Sequence, residues 1–244
     1  MHTTRMNFTH MKKLLLLFAF ALFSYQAKSQ ILISLLFGDK LNSPNLEFGL
    51  EGGVSWSEIN SLDANQGLGS FNLGLYFDIR AKNNLWIYTG VLLKSNLGVK
   101  GLSEKDLNQI GANFYIREVN YSQELSYFIT PLFAKYKFDN HIYATLGPQF
   151  GLLKNGLVKS ETEQDDVSTV SEQTNTDALN RFDMGFTAGA GYTLLKGAGM
   201  SIGARYYYGI LDVYKDVSGS NNSSFYIQAN IPIGATKKDK TPKE

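Results

Sequence analysis

Cysteine is missing from all 244 residues. No disulfide can staple the fold and no lipid-modified cysteine can anchor the chain, so a packed core or a membrane must hold it together. Histidine is scarce, occurring only as His2, His10 and His141. The formal net charge is only +1, which advertises no nucleic-acid partner and leaves composition nearly silent on partners. Beyond Phe23 there is no apolar run of the ~20 residues that a membrane helix needs.

The beginning of the chain carries the only long apolar run. MKKLLLLFAFALFSYQAKSQ, from Met11, has a Lys12-Lys13 head, an apolar core from Leu14 to Phe23 and a polar exit, with Ala27 and Ser29 at the −3 and −1 positions of a cut before Gln30. Residues 1–29 therefore read as a secretory signal peptide, with Met11 as a fitting start. Removing them takes away Arg5, Lys12, Lys13 and Lys28 and no acidic residue, which leaves an exported, mildly acidic chain. An exported chain without a spanning helix can enter a membrane only as a closed barrel.

From Leu46 to Trp56 the even positions read Leu46, Phe48, Leu50, Gly52, Val54 and Trp56, and the odd ones Glu47, Gly49, Glu51, Gly53 and Ser55. This is the period of two of a strand with one greasy and one polar face. The same alternation marks five further segments, over 71–81, 142–150, 181–192, 200–209 and 225–233. Two segments are less regular. In NLWIYTGVLLKS, Leu85, Ile87, Val91 and Leu93 are assigned outward and Trp86, Tyr88 and Lys94 inward. In LSYFITPLFAKYKF, the outward series Leu125, Tyr127, Ile129 changes parity near Pro131 to Leu132, Ala134, Tyr136, Phe138, which predicts a β-bulge at the proline. The expectation is an all-β chain forming a transmembrane, antiparallel, up-and-down β-barrel of about eight strands over residues 46–234.

Short connections (AKNN, DNH, LLKGAG) alternate with longer ones (NSLDANQGL, 96–118, 155–180, DVYKDVSGSNNS). A membrane barrel with an even strand number gives this order, its short turns and both termini sharing one side. Trp56, Tyr121, Phe182, Tyr208 and Phe225 fall near the long-connection ends, and Tyr136, Phe138 and Tyr192 near the short turns, as two interfacial girdles would. A secreted lipocalin-like barrel or a β-sandwich would share the alternation, but neither needs aromatic belts or one-sided loops.

The polar face then lines a lumen holding Glu47, Glu51, Asp78, Arg80, Lys94, Lys135, Asp183 and Arg205. About eight strands leave an interior that side chains fill, so these charges are expected to pair across it as a structural network. If Trp56 faces Phe71, Glu47 faces Arg80. Arg205, flanked by Gly203 and Gly209, has room to reach Glu51. The Gly189-Ala190-Gly191 run lies in a strand and clears lumen space for Arg205 or Tyr207, so it is no phosphate cradle.

Catalysis finds little support. After removal of the leader only His141 remains, in a short turn away from the long connections, so no serine–histidine pair can form at that rim. Asp63, Asp183 and Asp212 leave room for an aspartate-based site, although single carboxylates near loops are ordinarily solvated. Asp165 and Asp166 lack the spacing of a calcium loop. No catalytic, cofactor-binding or metal-binding residue is assigned. Residues 30–45 form an N-terminal segment in which ILISLLFG, 31–38, lies at the interface or plugs the opening. Residues 235–244 form a basic tail.

FGLEGGVSW, YFITPLFAKYKF, YATLGPQFGLL, FDMGFTAGAGY and ARYYYGILDV together resemble the strand motifs of the PorT-like outer-membrane β-barrel proteins of Bacteroidetes, over essentially the whole exported chain. The resemblance implies an eight-stranded barrel in the outer membrane of a Gram-negative cell envelope and, for the founding member, a part in a protein-secretion system that also serves gliding. The final IPIG lacks the terminal aromatic usual for barrel assembly. The expected function is a monomeric, non-enzymatic barrel with both termini in the periplasm. Its role would be structural, adhesive or accessory to secretion, with outer-membrane lipid around it and an envelope or secretion-system protein partner reached through loops 96–118 and 155–180. The alternatives are a rim enzyme acting on lipid or peptide and a narrow small-solute channel.

Overall fold

The computed structural model describes residues 43–64, 66–112, 120–164, 167–197 and 199–233. The leader, the 31–38 segment, Asp165, Asp166 and the 235–244 tail lie outside the described residues, as do 113–118 of the 96–118 loop. Ten strands form one sheet: β1 (Leu46–Ile59), β2 (Gln66–Lys82), β3 (Leu85–Lys94), β4 (Asn96–Lys100), β5 (Asn120–Lys137), β6 (Ile142–Gln164), β7 (Val167–Thr174), β8 (Phe182–Thr193), β9 (Ser201–Asp212) and β10 (Asn221–Pro232). Among the described residues two short α-helices, α1 (Glu104–Gln109) and α2 (Leu194–Gly197), sit in connections.

The sheet closes on itself as an antiparallel ring of eight. β3 and β4 occupy one place in the wall, since both pair with β2 on one side and β5 on the other. β6 pairs with β5 and β8, and β10 returns to β1 from Gly49↔Pro232 to Ile59↔Asn222. Closure leaves no sheet edge in the ring, the condition for crossing lipid with strands. β7 stands outside it, pairing with the far end of β6 from Leu157↔Thr174 to Gln164↔Val167. Much of what the sequence offered as loop 155–180 is therefore a hairpin, and the 96–118 loop begins within β4. Ser, Thr and Glu there give no greasy face, so a strand with two polar faces reads as loop.

Turns follow local chemistry. β2 and β3 are joined through Asn83 and Asn84, with Asn83 at φ 47°, the left-handed conformation that asparagine tolerates in tight hairpins. Register shifts interrupt the ladder at four places, between Leu73 and Gly74, Arg80 and Lys82, Ser126 and Tyr127, and Asn221 and Ser223. Leu73 faces Lys94 but Gly74 faces Leu92, leaving Leu93 extra, and Ser126 faces Asn155 but Tyr127 faces Leu153, leaving Lys154 extra.

The outer wall carries exposed Val54, Phe71, Leu73, Ile79, Ile87, Leu132, Leu146, Phe186, Ile202 and Ile227, the apolar band a lipid-facing barrel requires. β5 departs from the expected parity. Leu125, Tyr127 and Ile129 are buried inside while Phe128, Leu132, Tyr136 and Phe138 are exposed, so one phase runs along β5 with no switch at Pro131. The irregularity lies instead at Ser126/Tyr127. The physical reason is that the lumen itself is apolar at this height, so a greasy residue no longer marks the outside.

Candidate functional site

The lumen divides along its axis. Near the short turns it is ionic and aromatic. Asp78 on β2 receives the Lys135 ammonium at 2.7 Å and that of Lys137 at 2.9 Å. Lys137 also stands 3.9 Å from Glu47 Oε2 and 3.9 Å above the Trp86 ring, while the Tyr76 hydroxyl donates to Glu47 Oε1 at 2.8 Å. At mid-height Arg205 Nη2 lies 2.7 Å from Glu51 Oε1. The other Glu51 oxygen accepts from the Tyr88 hydroxyl, which itself accepts from Asn230 Nδ2 at 3.0 Å. The guanidinium is 4.8 Å from the Tyr226 ring centroid and 5.8 Å from that of Phe133. Glu51 and Arg205 are 1% and 2% exposed, so their charges compensate each other far from water.

Room for this packing comes from the neighbouring strand β8, where Gly189 pairs with Arg205 on β9 and Gly191 with Tyr143 on β6. A Cβ at Gly189 would lie 2.7 Å from the Cβ of Arg205, and one at Gly191 only 2.3 Å from the Tyr143 ring. The glycine run therefore admits Arg205, one of the two side chains expected there, and Tyr143, while the other expected side chain, Tyr207, lies against Gly185 instead.

Toward the long connections the polar network thins. Asn72 Nδ2 donates to Ser55 Oγ at 2.9 Å and Ser95 Oγ to Asn72 Oδ1 at 2.6 Å. Asn222 Nδ2 donates to Asp183 Oδ2 at 3.1 Å. Above them Leu92, Leu97, Val99, Leu125, Ile129 and Leu153 from the wall meet Leu102, Leu107, Ile110, Val213 and Val217 from the connections in one buried cluster. These greasy side chains close the end of the barrel for the same reason that any core forms, by leaving water.

The closure is tied down by polar bonds. Ser103 and Asp106 make a capping box at the start of α1, and Asp106 Oδ1 accepts the backbone N–H of Asp63 at 2.8 Å, joining α1 to the β1–β2 connection. Gln123 and Asn175 exchange amide hydrogen bonds of 3.1 and 2.6 Å, and the Tyr214 hydroxyl donates to Gln123 Oε1 at 3.0 Å. Burial pushes the Tyr214 phenol above its ordinary pKa, so it stays protonated as that donor.

The residues proposed from sequence separate into groups. Glu51, Arg205, Asp78 and Lys135 meet as buried pairs inside the lumen. Glu47 and Arg80 do not meet, because the hairpin register sets Trp56 against Gly69 and Glu47 against Asp78, two residues from the expected alignment. Arg80 is exposed, donating from Nε to the Asn83 carbonyl at 2.9 Å. Lys94 is not in the lumen either: the bulge turns it outward, 5.9 Å from the Phe71 centroid. Asp183 is buried inside without a cation in salt-bridge contact among the described residues. Lys137 was missed, although it lies two positions from Lys135 on the same strand face.

Trp56, Phe182, Tyr208 and Phe225 are exposed near one end, and Tyr136, Phe138 and Tyr192 near the other. Tyr121, expected with the first group, is buried inside, in the apolar cluster. Among the carboxylates weighed for catalysis, Asp63 pairs with Lys105 at 2.7 Å on the surface and Asp212 Oδ1 accepts the Gly219 N–H at 2.7 Å. Each is engaged in a separate local bond. Among the described residues no three His, Cys, Asp or Glu side chains gather to hold a metal.

No curated protein matches the chain. Similar solved structures include Neisserial surface protein A (11% identity, covering 75% of this chain and 96% of that one, TM-score 0.40). Others are Ail, the attachment invasion locus protein of Yersinia pestis (12%, 78% and 99%, TM-score 0.42), and OprG from Pseudomonas aeruginosa (10%, 77% and 93%, TM-score 0.34). Residues 37–215 match the family described as outer membrane protein beta-barrel domain. That match spans most of the chain, and the chain belongs to this family of bacterial outer-membrane β-barrels.

Proposed function

We propose that this chain is a non-catalytic, pore-less barrel of the PorT-like kind that holds the β6–β7 hairpin and the neighbouring long connections at the cell surface. Both mature termini lie in the periplasm, and the role is adhesive, structural or accessory to secretion. The observation that supports this reading best is the filled lumen. Glu51, Asp78, Lys135, Thr187 and Arg205 are all buried within it, and the apolar cluster closes the far end, so among the described residues side chains take up the space a solute would need.

The hairpin is the feature left over once the barrel is accounted for. Lys159 on β6 binds Glu124 at 3.1 Å and Glu172 on β7 at 3.0 Å. Partial burial lowers the Lys159 pKa, but the two carboxylates outweigh it and hold the ammonium above its ordinary value, fixing the hairpin to β5.

Two measurements test the reading. Purified protein in planar bilayers is expected to give no conductance steps, and steady single-channel openings would overturn the pore-less part. Replacing residues 160–171 with a two-residue turn is expected to preserve heat-modifiable migration while abolishing a crosslinked partner band in intact cells. An unchanged band would overturn the display role of the hairpin.

A further inference from the structure

The bulges at Leu93 and Lys154 have a common outcome on the outer wall. Each inserts one residue into a strand flanking β5, and each turns a lysine toward lipid: Lys94 on β3 and Lys154 on β6. Lys154 reaches across β5, with its ammonium 4.6 Å above the Phe128 ring and donating at 2.9 Å to the Leu93 carbonyl. Leu93 is the extra residue of the β3 bulge. Around the two ammoniums stand exposed Phe71, Leu93, Phe128 and Leu152. Neither lysine has a carboxylate within 4.0 Å among the described residues, in contrast to Lys105, Lys135, Lys137 and Lys159.

One row further toward the long connections, Asn96, Ser126 and Asn155 stand side by side on three neighbouring strands. The Asn96 side-chain oxygen accepts from Ser126 Oγ at 2.8 Å and that of Asn155 from Thr176 Oγ1 at 3.0 Å. With both oxygens taken as acceptors, the amide nitrogens are what the pair offers a ligand. The height is that of an aromatic girdle, since Leu152 faces Phe182 in register and such rings mark the headgroup level.

We propose that this wall binds the phosphorylated headgroup of a net-anionic membrane lipid in the leaflet at the long-connection end. Two ammoniums and two amide donors suit a phosphate oxyanion, and the apolar residues beside them accept its acyl chains. Unpaired cations on a lipid-facing wall are costly unless they reach an anionic headgroup.

The test is native mass spectrometry of the purified chain in detergent, titrated with phosphatidylglycerol as the probe. The wild type is expected to retain it, and Lys94→Gln with Lys154→Gln to retain on the order of tenfold less. Lys94→Arg with Lys154→Arg should keep the lipid, and Lys215→Gln, a lysine elsewhere at the same end, should not change it. Heat-modifiable migration checks that each variant is folded. Equal retention by the double glutamine variant would overturn the proposal, as would equal retention of phosphatidylcholine by the wild type. Displacement of the lipid by millimolar inorganic phosphate would overturn it too, by showing a site for the free anion.

Discussion

Arg205→Met is expected to destabilise the barrel by about 3–5 kcal/mol, because it leaves the Glu51 carboxylate buried without its cation. The contact is 2.7 Å and both residues are nearly sealed from solvent, so water cannot easily replace the guanidinium. The strands of this site are fixed by the ring, and β9 cannot move to admit solvent without breaking pairs to both β8 and β10. Adding Glu51→Gln should recover most of the loss, since a neutral amide can still accept from Tyr88 and removes the stranded charge. Urea titration of refolding into lipid vesicles, followed by the fluorescence of Trp56 and Trp86, measures both variants. A single variant as stable as the wild type would show that the pair does not hold the lumen together.

Gly203→Ala is expected to cost about 1–3 kcal/mol through overpacking alone. A Cβ there would lie 2.3 Å from the Tyr143 hydroxyl oxygen, while its next contacts, 3.0 Å to the Ala190 carbonyl and 3.3 Å to Tyr143 Cζ, are tight but tolerable. Tyr143 is buried between the walls and cannot swing away cheaply. Removing only the clashing atom, as Tyr143→Phe, should therefore restore most of the stability of the alanine variant. Gly52→Ala is the control: nothing lies within 4 Å of its Cβ, and a change within about 0.5 kcal/mol is expected. Equal effects at the two glycines in the same urea titration would sink the steric account.

These two sites also show what the sequence could and could not tell. Alternation located the ring strands because a lipid-facing wall and a polar lumen give the two faces opposite chemistry, and it put Glu51 and Arg205 both on the lumen face. The same rule misplaced Leu125, Tyr127 and Ile129, because near the long connections the lumen is as greasy as the wall. It misplaced Lys94 because a bulge shifts the phase by one residue without a marker such as proline or glycine. The Glu47–Arg80 pairing failed on register, which depends on where the connection begins, and a slip of two residues preserves every face while exchanging every partner. Asp78 was read inward from the alternation of β2, and Lys137 was legible in the same way, since it alternates with the outward Ala134, Tyr136 and Phe138.

The sealed ionic core has a further consequence for life in changing water. Dissolved ions screen charges over roughly 8 Å at physiological strength, but they act through solvent, and solvent does not reach Glu51, Arg205, Asp78 or Lys135. Raising salt from dilute to molar should leave the urea midpoint of the barrel unchanged. The Lys159 cluster on the half-exposed hairpin should loosen over the same range, read as faster amide exchange across 157–174. The protein would then keep a salt-indifferent anchor beneath a salt-responsive surface.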